Sequence, residues 1–168
     1  PYLENAIELG RSFIQPRYWG KRSLDYLWYG IGAYLKQNPD IRYMFGPVSL
    51  SASYPEKAKK LISGFYSQLF GSEQVFAKAR TPFKVKHYKK FDAFSPLSNE
   101  DDYKPAYSLL KDKLDELGVR VPTLYKQYVE LCHPGGCQFI DFNEDAKFSD
   151  CVDALILVDV EKVKAKKP

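Results

Sequence analysis

The sequence has few of the residues that mark several classes of protein. Its 168 residues include three cysteines, Cys132, Cys137 and Cys151. That low and odd number does not support a disulfide framework, and it favours a reducing, cytoplasmic compartment. No apolar run is long enough to span a bilayer. Aromatic residues, by contrast, make up 15% of the chain, which excludes intrinsic disorder.

Methionine is scarcer still, because Met44 is the only one and the chain opens at Pro1. A predicted core strand follows almost at once, so we expect native sequence before Pro1.

The formal net charge of +4 favours an acidic partner such as nucleic acid, anionic lipid or an acidic protein. Basic and aromatic residues do not interleave in a recognisable nucleic-acid motif, so we expect no nucleic-acid binding.

Hydrophobic periodicity predicts alternating strands and helices. The first strand has Ile7, Leu9 and Phe13 on one face, and Ser23 is the predicted cap of the first helix. The predicted elements are strand Ala6–Ile14, a helix from Ser23 to Asn38, strand Arg42–Leu50, a helix from Pro55 to Gly71, a helix from Ser98 to Gly118, a helix from Val121 to Cys132, and strands Gln138–Phe142 and Ala154–Val160. This order indicates an α/β domain over residues 1–161 with a locally parallel sheet, followed by a basic tail over 162–168.

Polar residues are densest inside the first predicted strand, at Glu8, Gly10, Arg11 and Ser12. Charged side chains are costly in a buried strand unless they are paired. One interpretation is an internal ion pair between Glu8 and Arg11, or a solvated edge; the other is a joint role in a site. Residues 8 and 11 face opposite sides of a regular strand, so a joint role requires a bulge or a strand end, which Gly10 favours.

The loop between the first strand and the first helix carries Arg17, Lys21 and Arg22. Free backbone amides at a helix start, with these side chains beside them, suit a phosphate group. A solvated basic loop explains the same residues.

Farther on, Pro47 inside the second strand cannot donate to a sheet ladder. Its position predicts either an edge strand or a neighbour that has splayed away, leaving backbone groups open to an extended ligand.

A zinc site is one interpretation of two cysteines and a histidine that lie close in sequence: Cys132, His133 and Cys137. A fourth ligand would have to come from His87 or Cys151, and the regular paired spacing of zinc motifs is missing. We therefore expect no metal site.

Several strings together resemble a known family: E-L-G-R-S at residues 8–12, L-W-Y-G-I-G at 27–32 and F-G-P-V-S at 45–49. They resemble the acyltransferases related to ornithine-lipid synthesis, which often carry the label hemolysin. That group is similar to the GNAT superfamily and, more distantly, to acyl-homoserine-lactone synthases. The stretches at residues 121–128 and 139–160 resemble the family's C-terminal part more loosely.

The resemblance implies a GNAT-like mixed sheet flanked by helices, and transfer of a fatty acyl group to an amino-acid-type amine, as in aminolipid synthesis. The donor would be an acyl-phosphopantetheine thioester, on acyl carrier protein or coenzyme A, with no permanently bound cofactor. Glu8 and Arg11 match the family's paired acid and base. The pantetheine arm would lie between the first two strands, in a slot lined by Phe45, Gly46, Val48 and Ser49.

One departure from the family pattern concerns the phosphate loop. GNAT enzymes that use coenzyme A carry R-x-x-G-x-G/A, whereas here Arg17 and Gly20 are followed by Lys21 and a bulky Arg22. Arg22 would block close backbone approach to a diphosphate, so the single phosphate of a carrier protein arm fits better. The basic segment from Lys78 to Lys90 would then contact the acidic carrier protein. A solvated basic loop or a contact with anionic lipid explains these residues equally well.

The resemblance also implies location in the cytoplasm, peripheral to the inner membrane. Several GNAT strands precede the one that corresponds to Ala6–Ile14, so we expect an unpaired sheet edge there, covered by upstream sequence or by another chain. The alternative function is a non-catalytic, membrane-associating or hemolysin-like binding module.

Overall fold

The computed structural model describes residues 2–84 and 103–165. The helices and strands are β1 (Ala6–Glu8), α1 (Ser23–Gln37), β2 (Tyr43–Leu50), α2 (Glu56–Phe70), α3 (Tyr103–Asp115), α4 (Thr123–Leu131), β3 (Cys137–Asp145) and β4 (Cys151–Asp159). Short 3₁₀ turns at Pro16–Tyr18 and Val160–Lys162 follow β1 and β4. Within these described ranges, no helix is both long and apolar enough to cross a bilayer.

The strands form one mixed sheet in the order β1-β2-β4-β3. β1 and β2 are parallel and are joined by α1, whereas β2–β4 and β4–β3 are antiparallel. The predicted α/β class, a mixed sheet flanked by helices, is confirmed. Among the described residues, β1 pairs only with β2, so its other edge has no strand beside it.

One face of the sheet, which we call the inner face, carries the core. Side chains alternate along β2, so that Met44, Val48 and Leu50 are buried while Pro47 and Ser49 are exposed. All four helices contribute side chains to the core on the inner face. An aromatic cluster from α2, α4 and β3 lies at its centre: the Tyr66 ring is 5.1 Å from that of Tyr125 and 4.8 Å from that of Phe139.

The opposite, outer face is less covered. Paired residues in neighbouring strands share a face, so the pair Glu8 and Phe45 lies on the outer face with Pro47 and Leu155. Phe45 and Leu155 are half-buried, and Glu8 is exposed. Helix α1 is the least buried of the helices, with no fully buried residue. It is held to α4 by the Trp28 indole, which donates to Gln127 Oε1 at 3.1 Å.

Two sequence predictions near the N-terminus are wrong. The first strand ends at Glu8 and not at Ile14, because Arg11 adopts the left-handed conformation with φ 55° and turns the chain away from the sheet. Ser23 does not cap α1: the cap position is Arg22, and Ser23 Oγ donates instead to the Tyr18 carbonyl at 2.8 Å.

Near the C-terminus the hairpin β3–β4 is longer than the periodicity predicts. Its two arms continue to the pair Asp145 and Cys151, because backbone pairing holds polar residues that carry no hydrophobic signal. The predicted start of the third helix, residues 98–102, lies outside the described residues, as does His87. The second strand and second helix match their predicted bounds to within a residue.

Gly46 should be intolerant of any side chain. A Cβ at Gly46 would lie 2.2 Å from the Leu9 carbonyl oxygen, closer than any real contact. We expect Gly46→Ala to lower the free energy of unfolding by about 1–3 kcal/mol, as overpacking does. Urea denaturation measures the loss.

The matched control is Gly32→Ala within α1, where no heavy atom lies within 4 Å of the added Cβ. That variant should be unchanged or more stable by about 0.5–1 kcal/mol, since alanine favours a helix interior. Equal effects of the two substitutions would contradict the close approach at Gly46.

Candidate functional site

The parallel pair β1–β2 opens into a fork. The strands pair from Ala6 and Tyr43 to Glu8 and Phe45, and the last bond between them runs from Leu9 N–H to the Phe45 carbonyl at 2.7 Å. Beyond that bond β2 continues to Leu50, while the first chain turns away at Arg11. On the β1 side, no strand of the described residues lies beside this part of β2, whereas β4 pairs with it on the other side.

Backbone groups of β2 are therefore open at the fork. Backbone groups of residues two apart in a strand point the same way, so Pro47 and Ser49 point to the side on which Phe45 meets β1. Pro47 has no N–H, and its place on this side leaves the β2–β4 ladder intact. The Pro47 carbonyl and the Ser49 amide face the fork, where an extended ligand could pair with them.

Glu8 and Arg11 stand at the base of the fork. Glu8 is the last residue of β1, with its side chain on the outer face, and Arg11 lies in the turn that follows. Both side chains are exposed, and neither forms an ion pair or hydrogen bond with another described residue. The interpretation as an internal ion pair therefore does not describe this geometry. The strand end that a joint role requires is present.

The basic loop places its side chains around one tyrosine. The Arg17 guanidinium lies 4.7 Å from the Tyr18 ring centroid, and the Lys21 ammonium lies 6.0 Å from it. Arg22 is tied to Asp25 by an ion pair of 2.8 Å, which raises the pKa of Arg22. Gly20 takes a φ of 72°, which favours glycine.

Helix α1 begins in this loop without a side-chain cap, so its first amides are open to a ligand. Arg17 and Lys21 form no ion pair with any other described residue. The loop thus combines open amides with two uncommitted cations, the donor set that an anion requires.

The predicted slot residues on β2 divide between the two faces of the sheet. Phe45 and Ser49 lie on the outer face, and Ser49 Oγ donates to Asp153 Oδ1. Gly46 and Val48 lie on the inner face, and by the same alternation their backbone groups face β4, so Val48 offers no group to the slot. Sequence reasoning missed Tyr125, whose buried hydroxyl donates to the Val48 carbonyl at 3.2 Å. The two residues are 77 apart in sequence, and no local pattern signals the contact.

The three cysteines are buried and not bonded to one another. Burial raises the pKa of Cys132 and of Cys151 to about 11 and raises that of Cys137 as well. These thiols are thus protonated near neutral pH. No group of three or more His, Cys, Asp or Glu side chains that could hold a metal ion occurs in the part of the chain that the structure describes.

Arg11 carries a conformational cost that glycine would relieve. Its φ of 55° lies in the left-handed region, which costs an L-residue about 1–2 kcal/mol. We expect Arg11→Gly to raise the free energy of unfolding by up to about 1 kcal/mol, measured by urea denaturation. The control is Arg17→Gly, where φ is negative and stability should not rise. A destabilised Arg11→Gly variant would show that the arginine side chain itself supports the fold.

Comparison with known proteins points to one kind of enzyme. The acetyltransferase (GNAT) domain family matches residues 1–29, which contain β1, the basic loop and the start of α1. A glycine N(alpha)-acyltransferase from Phocaeicola vulgatus is 30% identical over 137 residues, covering 77% of this chain and 41% of that protein. A second glycine N(alpha)-acyltransferase, from Bacteroides thetaiotaomicron, is 29% identical over 137 residues, covering 77% of this chain and 40% of that protein.

No solved structure matches the chain. The chain spans about two fifths of the length of these curated relatives, 41% and 40%. The residues that match the GNAT family contain β1, which forms one side of the fork, and the uncapped start of α1 behind the basic loop, whereas β2 lies outside them. The chain is therefore GNAT-like in its N-terminal segment and similar to acyltransferases over most of its length.

Proposed function

We propose that this domain catalyses N-acyl transfer, moving a fatty acyl group from a phosphopantetheine thioester to an amino-acid-type amine. The observation that carries the proposal is the fork between β1 and β2, with Glu8 at its base. Two relatives named as glycine N(alpha)-acyltransferases support an amine as the acceptor. Production of an aminolipid follows when the acyl chain is long.

The donor's arm would lie in the fork. An extended pantetheine contains amide groups, and the Pro47 carbonyl offers them an acceptor along the strand. Phe45 and Ser49 would contact the arm on the outer face. The arm's phosphate would lie at the start of α1, bound by open amides, Gly20 and the basic residues of the loop: Arg17, Lys21 and Arg22.

Catalysis requires the amine to lose a proton as it attacks the thioester carbonyl. The nitrogen–carbon bond forms, the carbon–sulfur bond breaks, and the thiolate leaves with the carrier. Glu8 would accept the amine proton, because it is an exposed carboxylate on the last residue of β1, where the paired strands open. Arg11 would order the site and offset the charge of Glu8. A β2 amide facing the fork, that of Ser49, would polarise the carbonyl oxygen.

Acyl carrier protein is the donor that the loop favours, since Arg22 occupies the place of a second glycine and is held by Asp25. In the described part of the basic segment, Lys84 is exposed and suits an acidic partner. Residues 85–90 of that segment lie outside the described residues. Location at the cytoplasmic face of the inner membrane would place the enzyme next to the bilayer into which a long-chain acyl product partitions.

Substitution of Glu8 tests the catalytic assignment. In the protein with any native sequence that flanks this chain, Glu8→Gln should lower kcat about 10²–10⁴-fold, the usual contribution of a general base. The deficit should shrink as pH rises, because more of the acceptor amine is then already deprotonated. Mass spectrometry of N-acyl products formed from acyl carrier protein and candidate amines gives the rate.

Glu4→Gln is the matched control, since Glu4 is an exposed glutamate in the turn before β1 and should leave the rate unchanged. The double variant Glu8→Gln, Arg11→Ala should be no faster than Glu8→Gln alone. Full activity of that double variant would remove both residues from the site.

A non-catalytic, membrane-associating module is the second candidate, and exposed aromatic side chains favour it. Phe13 is 77% exposed, Trp19 69% and Tyr26 72%, and all three lie around the basic loop with Arg17 and Lys21. Aromatic rings beside cations suit the headgroup region of an anionic bilayer. The hemolysin label attached to the resembling family fits the same surface.

Vesicle binding separates the two candidates. A membrane module should co-sediment with vesicles that contain phosphatidylglycerol and not with pure phosphatidylcholine. Phe13→Ser together with Trp19→Ser should abolish this binding. Phe148→Ser is the control, since Phe148 is 66% exposed in the β3–β4 turn. Binding or leakage without any acyl transfer would favour the module, and transfer without binding would reject it.

A further inference from the structure

A small pocket lies on the outer face beside the open part of β2. Its volume is about 260 Å³, and it lies between Pro47 of β2, Leu155 of β4 and the extended residues 77–80. Lys78 and Arg80 line it from one side, and Asp141 of β3 lines it from another. Such a volume admits a small molecule and excludes a long chain.

Two side chains of β3 hold the extended segment over the sheet. Asp141 Oδ2 accepts from the Ala79 amide at 2.7 Å, and Asn143 Oδ1 accepts from the Thr81 amide at 2.9 Å. Lys78 and Arg80 flank the anchored Ala79 in sequence. Their backbone is thereby fixed beside Pro47, although both side chains are exposed.

The acidic side chains at the pocket have hydrogen-bond partners, whereas the basic ones do not. The other oxygen of Asp141 accepts from the Phe142 amide at 2.9 Å, and Asp153 Oδ1, also at the pocket, accepts from Ser49 Oγ and the Cys151 thiol. Within residues 2–84 and 103–165, neither Lys78 nor Arg80 forms an ion pair or side-chain hydrogen bond. Lys78 and Arg80 balance the formal charge of Asp141 and Asp153, but they are the charged side chains of the pocket without a partner, and an anionic group would supply one.

The pocket and Glu8 flank the same stretch of β2. Glu8 lies on the outer face beside Phe45, on the β1 side, whereas the pocket begins at Pro47 and extends over β4 and β3. Two residues along a strand span about 6.6 Å. Glu8 lies in addition one strand to the side of Pro47, so the exposed side chain of Glu8 would contact the amine end of a compact molecule while the exposed side chains of Lys78 and Arg80 contact its anionic end.

We propose that Lys78 and Arg80 bind the carboxylate of the acceptor, so that the acceptor is a small amino acid with a free carboxylate. This inference rests on the proposed N-acyl transfer and specifies its acceptor side. The carboxylate lies against Lys78 and Arg80, the amine points across Pro47 to the fork, and the narrow pocket limits the side chain. Lys78 and Arg80 are thus residues that determine acceptor specificity.

The test compares glycine with glycinamide, which keeps the amine and lacks the negative charge. In the intact protein we expect glycine to be preferred in kcat/KM, and Lys78→Met with Arg80→Met to lower that preference about 10- to 100-fold, the range for a lost charge-assisted contact. The loss should appear as a raised KM for glycine, with KM for the acyl donor unchanged. Comparing the ratio between variants removes the difference in amine basicity.

Lys111→Met is the control, because Lys111 is an exposed cation on α3, away from the outer face, and should leave the ratio unchanged. A double variant with a raised donor KM and an unchanged ratio would assign Lys78 and Arg80 to the donor and overturn the proposal. Saturation-transfer NMR of glycine and glycinamide measures binding without turnover. If no acyl transfer occurs to any amine, loss of glycine binding in the double variant still supports the carboxylate site, and absence of glycine binding to the unmodified protein refutes it.

Discussion

The hydrogen bond from Leu9 N–H to the Phe45 carbonyl marks the point on which the site depends. Up to this bond, β1 and β2 behave as an ordinary parallel pair. Immediately after it, Gly46 lets the Leu9 carbonyl pass at a distance that no side chain would allow, and Arg11 turns the chain outward. The fork therefore follows from one close backbone approach and one left-handed residue, and not from a gap in an otherwise regular sheet.

The two faces of the sheet have different roles around this hydrogen bond. The inner face is filled by the aromatic cluster of α2, α4 and β3, which fixes β2 from below through the bond of Tyr125 to the Val48 carbonyl. The outer face keeps its polar groups: Glu8 on β1, Ser49 with Asp153, and the basic side chains of residues 77–80. A rigidly packed inner face and a polar outer face can hold two bound substrates in fixed relative positions, as a transfer reaction between them needs.

Local sequence patterns predict the parts of this fold whose stability is local. The apolar stripe of α2 and its flanking Pro55 and Gly71 bound that helix to within a residue. Periodicity fails for β1, because Leu9 and Phe13 continue the alternation while the φ of Arg11 ends the strand. It also fails at the far end of β3–β4, where Asp145 and Cys151 pair through backbone bonds alone.

The site divides in the same way. Glu8, Arg11 and the basic loop are visible as an unusual density of charge, and Pro47 signals the open side of β2. What the sequence does not contain is the register that sets Glu8 beside Phe45 or the anchoring of Ala79 by Asp141, 62 residues away. Such contacts depend on how strands and loops meet, and no spacing along the chain encodes them.

Residues 81–83 have an effect beyond the pocket they border. The Glu144 amide donates to the Thr81 carbonyl at 2.8 Å, and the Phe83 amide donates to the Phe142 carbonyl at 2.9 Å, so this segment occupies the outer edge of β3. An occupied edge cannot template pairing with another chain. Within the described residues, growth of the sheet by a further strand is consequently directed to β1, where the new neighbour would lie directly against Glu8.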